Sequence, residues 1–207
     1  VSDRNLEGEH CFDNVIVDRE DAEGGHVGWK RGLLFKTKHI YASSPYQKTF
    51  FVDSDTYFTE NCGCLFDVLD YYDVSLAHGT NDRTVVNVRG KAVDAVTPYN
   101  TGVILFRKNQ HTERHFADWH ACYEKNLKKH PHDQPAFVEA LSTSHCKVYI
   151  LQNNWNARFI YPEKYAGRVM ILHGRHHDFP ALARRINATE EARLWLPQAE
   201  SCISPKM

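Results

Sequence analysis

The 207-residue sequence contains no apolar run near the roughly 20 residues that a bilayer-crossing helix needs. Its start does not resemble a secretory leader, so a soluble chain is expected. Charge of one sign is also missing. The formal net charge is -1, which removes the electrostatic case for nucleic acid or an anionic membrane as the main partner. No internal repeat and no low-complexity stretch is present, so one core of ordinary size is expected over residues 1–207. No second cysteine pair answers Cys62-Gly63-Cys64, which argues against a structural zinc site. The cysteines (Cys11, Cys62, Cys64, Cys122, Cys146 and Cys202) are therefore expected as free, partly buried thiols. An initiator Met is absent too. Val1-Ser2-Asp3 reads as the tail of a strand already under way, so the domain is expected to be N-terminally incomplete. Asn187-Ala188-Thr189 is a glycosylation sequon too short to fix a compartment. The cytoplasm is expected, with the Golgi lumen the alternative for a eukaryotic secretory enzyme.

What is present is an alternation of short apolar runs with longer amphipathic segments, the pattern of an α/β domain with a mainly parallel sheet. Strands are predicted at Asn14–Val17, Thr49–Val52, Val74–Ala77, Thr101–Phe106, Lys147–Leu151 and Arg168–Leu172. Helices are predicted over Trp29–Tyr41, Leu65–Tyr72, Thr112–Lys128 and Gln134–Leu141, with a further helical tail from Pro180 onward. Asp21–Gly25 reads as a loop, and Asp82–Ala95 as a β-excursion or a loop.

Thr49-Phe50-Phe51-Val52 is apolar on both faces, as an inner strand should be, and runs directly into Asp53-Ser54-Asp55. Residues two apart on extended backbone point the same way, so the two carboxylates are expected to converge at the strand's carboxyl end, where open α/β sheets bind their ligands. Two such charges repel unless a cation lies between them. Magnesium or manganese satisfies both and leaves coordination positions for phosphate oxygens. The alternative is a pair of acids that merely caps the turn after the strand.

The stretch Pro45 to Phe58, with Asp53-Ser54-Asp55 at its centre, resembles the DxD segment of nucleotide-diphospho-sugar transferases of the GT-A fold. Three further stretches resemble the same family in the same order. They are Tyr99-Asn100-Thr101-Gly102-Val103-Ile104-Leu105-Phe106, Asp133-Gln134-Pro135-Ala136-Phe137 and Ile171-Leu172-His173-Gly174; the last two are similar to the glycogenin-like retaining branch. The resemblance implies a single-domain, three-layer α/β/α fold with a mainly parallel central sheet that lacks its first strand. It also implies a hexosyltransferase-type enzyme acting on a nucleotide-sugar, most often a UDP-sugar, and a glycan, protein or small-molecule acceptor.

Roles follow from the resemblance residue by residue. Asp53, Asp55 and His173 would hold Mn2+ or Mg2+, although His173 read by itself is equally a core histidine. Asn100 and Thr101 would hydrogen-bond sugar hydroxyls, and Gly102 would let the backbone approach the sugar, unless it only relieves a bulge. Ser54 and Arg175 are expected at the donor. Asp133 and Gln134 would face the donor sugar or the acceptor, unless Asp133 is only a helix N-cap. An unhindered Asp133 beside the acceptor hydroxyl would be a general base and give inversion; otherwise retention is expected. Arg31, Lys36 and Lys38 precede the acidic strand; a solvated helix face is the simpler account of each, and Lys38 matches the family's basic residue near the nucleotide. Trp155 and Asn156 are placed on the acceptor side by position. His176, His177 and Asp178 read as exposed loop residues rather than a second metal site. Two rivals are a non-catalytic sugar-nucleotide-binding module of the same fold and a phosphatase of the haloacid dehalogenase type. Tyr57 argues against the second, because that family places Thr or Val there.

Overall fold

A computed structural model describes residues 29–79, 86–94, 99–128 and 132–197. The expected strand at Asn14–Val17, the loop at Asp21–Gly25, and Cys11 and Cys202 lie outside them. The central sheet is built from β1 (Lys48–Val52), β3 (Val74–His78), β6 (Tyr99–Arg107) and β7 (Val148–Leu151), in the order β1-β6-β3-β7. β6 pairs antiparallel with both β1 and β3, whereas β3 and β7 pair parallel. Three of the four strands therefore share a direction, as a mainly parallel sheet requires, but only one neighbouring pair is hydrogen-bonded in parallel. The reversal of β6 is the correction to the sequence reading: an inner strand is apolar on both faces in either direction, so composition does not encode its sense.

Side chains alternate between the two faces of this sheet. Val74, Leu76, Ile104 and Phe106 face a cluster completed by Phe116, Trp119, Tyr123 and Phe137. Those residues come from α2 (Gln110–Asn126) and α3 (Gln134–Leu141), and α1 (Trp29–His39) packs on the same side through Leu33 and Leu34. Ala77, Val103, Leu105 and Leu151 point the other way, onto Leu65 and Leu69 of a 3-10 segment, Gly63–Asp70, that stands where an α-helix is predicted. A third cluster gathers Phe159, Tyr165, Leu172, Leu182 and Ile186. It lies between the two-stranded pair of β8 (Glu163–Tyr165) with β10 (Arg193–Trp195) and helix α4 (Phe179–Ile186). The tail is thus helical only through Ile186, then turns back as a strand.

Local chemistry fixes the ends of these elements. Asn109 caps α2 by accepting from the His111 and Thr112 N–H groups, while the Thr112 hydroxyl accepts in return from the Asn109 N–H. Such a reciprocal cap stabilises a helix by about 1 kcal/mol. Asp178 caps α4 through the Ala181 N–H, and Pro180 in the first turn has no N–H to satisfy. Within the 82–95 stretch, β4 (Val86–Val88) and β5 (Lys91–Val93) form a hairpin. Its two-residue turn, Arg89-Gly90, has positive φ at both positions, the geometry that matches strand twist and that glycine adopts without strain.

At the sheet end away from the carboxyl termini of β1, β3 and β7, Asp73 joins four elements. Its carboxylate accepts from Arg107 Nε (2.9 Å), Asn109 Nδ2 (2.8 Å) and the Lys147 N–H (2.8 Å). Burial alone would raise the Asp73 carboxyl, but those donors hold it below the ordinary carboxylate value.

Candidate active site

The carboxyl end of β1 runs into a turn at Ser54-Asp55 and then β2 (Thr56–Phe58), which pairs antiparallel with β9 (Ile171–His173). In this register Thr56 sits opposite His173, so the late strand delivers its histidine beside Asp55. The Thr56 hydroxyl donates to the Asp53 carbonyl (2.8 Å), and the Gly174 N–H donates to the Asp55 carbonyl (2.9 Å). The two carboxylates therefore converge through a pinned turn rather than an extended run.

His173 Nε2 lies 3.4 Å from Asp55 Oδ1 and 3.8 Å from Asp53 Oδ2. One ligand atom from each of the three residues falls within 4.8 Å of the others, a spacing that a single divalent cation can bridge. His173 chiefly, and against the upward push of partial burial, holds the Asp55 carboxyl below its ordinary value. Two carboxylates and an imidazole are a donor set that suits manganese or magnesium.

Gly102 explains how the ring fits. A Cβ there would stand 2.0 Å from His173 Cε1 and 2.8 Å from Asp53 Oδ2. The space that a side chain would fill belongs to the metal-side residues themselves, so the close approach of His173 by itself calls for a glycine here.

Lys36 sits next to the acids. Its ammonium lies 3.2 Å from Asp53 Oδ1, 3.2 Å from Asp133 Oδ2 and 3.3 Å from the Thr101 hydroxyl oxygen. The Phe51 and Trp119 rings lie 5.3 and 5.9 Å from the same nitrogen. Burial depresses the Lys36 ammonium, but Asp133 and Asp53 more than offset it and hold it above the ordinary lysine value. Lys38 is exposed. Two residues along a helix turn the side chain by about 200°, so only one of the pair can face the site. A signal was available, since Lys36 falls in the apolar stripe with Leu33 and Ile40, an odd place for a solvated lysine.

Asp133 stands at the N-cap position of α3, yet its side chain makes no capping hydrogen bond. It turns inward, accepting from the Thr101 hydroxyl (3.0 Å), while the Asp133 carbonyl accepts from Trp119 Nε1 (3.0 Å). A cavity of about 630 Å³ is bordered by Lys36, the Asp53-Ser54-Asp55 triplet, Asn100, Thr101, Asp133, Gln134, His173 and Arg175. Of the sequence-predicted site residues, only Lys38 and Gly102 are missing from this lining. Arg158 and Tyr161 also border it, with the guanidinium 5.7 Å from the ring centre; nothing in the sequence pattern singled them out. Asn156 is buried behind His173, and Trp155 packs under the sheet. Among the described residues, His176, His177 and Asp178 form no metal-binding group. A cavity of similar size, about 650 Å³, lies beside β1 and is lined largely by Phe35, Ile40, Phe50, Phe51 and Phe66. It has no acidic residue in its lining and so offers no carboxylate to a metal ion.

The sequence model of nucleotide-diphospho-sugar transferases matches residues 15–177, most of the chain, and spans all of these residues. The chain belongs to that family. No curated protein matches the transferase in sequence. Among solved structures it is similar to the glycosyltransferase GlyE of Streptococcus pneumoniae TIGR4, at 18% identity and a TM-score of 0.46 over 81% of this chain. It is also similar to an active-site mutant of LgtC, at 13% identity and a TM-score of 0.49 over 89% of this chain. The chain spans 40% of the length of GlyE and 76% of that of LgtC. Among its described residues no helix is long and apolar enough to cross a membrane.

Proposed function

We propose that this chain transfers a hexose from a nucleotide-diphosphate sugar, a UDP-sugar in the first instance, to an acceptor hydroxyl with retention of configuration. Asp53, Asp55 and His173 would hold Mn2+ or Mg2+. The observation that carries the reading is the convergence of those three side chains within 4.8 Å on one wall of the cavity. A bound ion would supply Lewis-acid neutralisation of the departing diphosphate. The protein's own cations, Arg175 and Arg158, border the same cavity and would pair with diphosphate oxygens. Asn100, Thr101 and Ser54 would orient the donor through hydrogen bonds, and Gln134 would face the sugar.

Retention is favoured over inversion by the state of Asp133. A general base needs a free lone pair within reach of the acceptor proton. The Asp133 carboxylate is buried and its Oδ2 is committed to both Lys36 and Thr101, which supports a positioning role over that of a base. Its role is then to hold Lys36 and Thr101 in position beside the donor.

Titration calorimetry with Mn2+ and a UDP-sugar, with and without Asp55→Ala, tests the reading. Loss of at least tenfold in Mn2+-dependent donor affinity is expected in the variant, and an unchanged titration overturns the metal assignment. Release of UDP by the unaltered chain over a panel of donors and acceptors tests the transfer. Tight donor binding with no turnover on any of them would make the chain a binding module instead.

A further inference from the structure

Behind His173 lies a row of buried amides whose orientation is set from the backbone. The Gly102 N–H donates to Asn100 Oδ1 (3.0 Å). A backbone N–H can only donate, so the Asn100 atom facing it is the carbonyl oxygen. The same oxygen lies 2.9 Å from the Asn156 side chain, which must therefore turn its NH2 toward Asn100. That leaves Asn156 Oδ1 against His173 Nδ1 at 2.8 Å. An amide oxygen only accepts, so Nδ1 carries the proton. Each assignment follows from the one before it, and all three side chains are buried, where reversing any link would set two donors or two acceptors face to face.

We infer that Asn100 and Asn156 are positioning residues that transmit the fixed direction of the Gly102 N–H to His173, locking the tautomer in which Nε2 presents its lone pair to the Asp53–Asp55 side. Without the relay, a neutral His173 has a competing choice. A proton on Nε2 would point at Asp55 Oδ1, 3.4 Å away, and that attractive contact would block the nitrogen as a ligand. The relay makes this arrangement set two acceptor lone pairs face to face in a buried place, at Asn156 Oδ1 and His173 Nδ1. Gly102 thus acts twice: its missing side chain leaves room for the ring, and its N–H sets the ring's tautomer. The geometry stands without an ion; the consequence for affinity rests on the proposed metal site.

The test is nitrogen-15 NMR of the metal-free chain with labelled histidine, at about pH 9 where the ring is neutral, followed by Mn2+ titration. The unaltered protein is expected to show His173 protonated at Nδ1. Asn156→Leu, which keeps the branched shape and removes both hydrogen bonds, is expected to shift the ring toward Nε2–H and to weaken Mn2+ about 10–100-fold. Asn100→Asp keeps an acceptor for the Gly102 N–H and for the Asn156 amide, so it should preserve the Nδ1–H form. An Nε2–H signal in the unaltered chain overturns the inference whatever the variants do, and so does a folded Asn156→Leu protein with unchanged tautomer and affinity. A chain that binds no Mn2+ yet shows Nδ1–H upholds the relay and sinks the metal assignment, so the two readings fail separately.

Discussion

Replacing Lys36 with methionine removes one charge from a buried triad and keeps the aliphatic stem. The Lys36 side chain is 9% exposed and Asp133 5%, so this pair is shielded from water, whereas Asp53 at 31% is partly screened. Removing one partner of a buried pair costs about 3–5 kcal/mol, because the other charge stays buried without compensation. Asp133 supplies that loss; Asp53 adds little, being open to water on one side. For a domain of this size urea slopes run to about 2–3 kcal/mol per molar, so the denaturation midpoint of Lys36→Met should fall by about 1–2 M. The folded lysine is held above its unfolded value, so the stabilisation is complete below about pH 10.4 and is lost only as pH rises through the higher folded value. Melts at neutral pH therefore report the full effect. Asn in place of Asp133 still accepts from the Thr101 hydroxyl but carries no charge. The Lys36→Met/Asp133→Asn double variant should thus recover about half of the loss, so the coupling is at least about 2 kcal/mol. A single variant within about 0.3 M of the unaltered midpoint, or a double variant no more stable than the single, would refute the uncompensated-charge reasoning.

Gly102→Ala should force the His173 ring back by more than 1 Å, from the 2.0 Å approach to ordinary van der Waals contact. About 1–3 kcal/mol of stability and most Mn2+ affinity should be lost together, which thermal melts and calorimetry would register. His115 is buried between Phe116 and Phe137, with neither ring nitrogen hydrogen-bonded. Burial lowers its pKa to about 4, so below about pH 6.5 the unfolded chain takes a proton that the folded chain refuses. Stability from this site is lost as pH falls from about 6.5 toward 4, about 2 kcal/mol of it by pH 5. His115→Leu should flatten that part of the pH profile in urea denaturation; an unchanged slope between pH 5 and 7 would show that other groups set it.

The residues that announced themselves in the sequence were those whose chemistry is local. Asp53 and Asp55 end an apolar run, and Asp133-Gln134 opens a helix, so each could be placed on an element without knowing its neighbours. Lys36 was harder: its burial depends on acids 17 and 97 residues further along, and helix periodicity says which residues share a face but not what covers that face. The direction of β6 was hidden because hydrogen-bond sense leaves no mark on an inner strand's composition. The partner of Asn156 was not legible, since an asparagine after a strand looks the same whether it meets solvent or a histidine. At Gly102 the need for close approach was legible, but the histidine that approaches it lies on a distant strand and was not.

Asp73 and the proposed chemistry occupy opposite poles of one sheet, and this separates what the chain must keep from what it is free to change. The pole held by Asp73, Arg107, Asn109 and the Lys147 amide fixes how β3, β6, α2 and β7 meet. Side chains on the cavity rim, such as Ser54, Gln134, Arg158 and Tyr161, lie far along the strands from that anchor and carry little of the frame. A new donor or acceptor preference can therefore be sought by exchanging rim residues while the anchored pole stays untouched, with the charged triad around Lys36 marking where such exchanges begin to endanger folding.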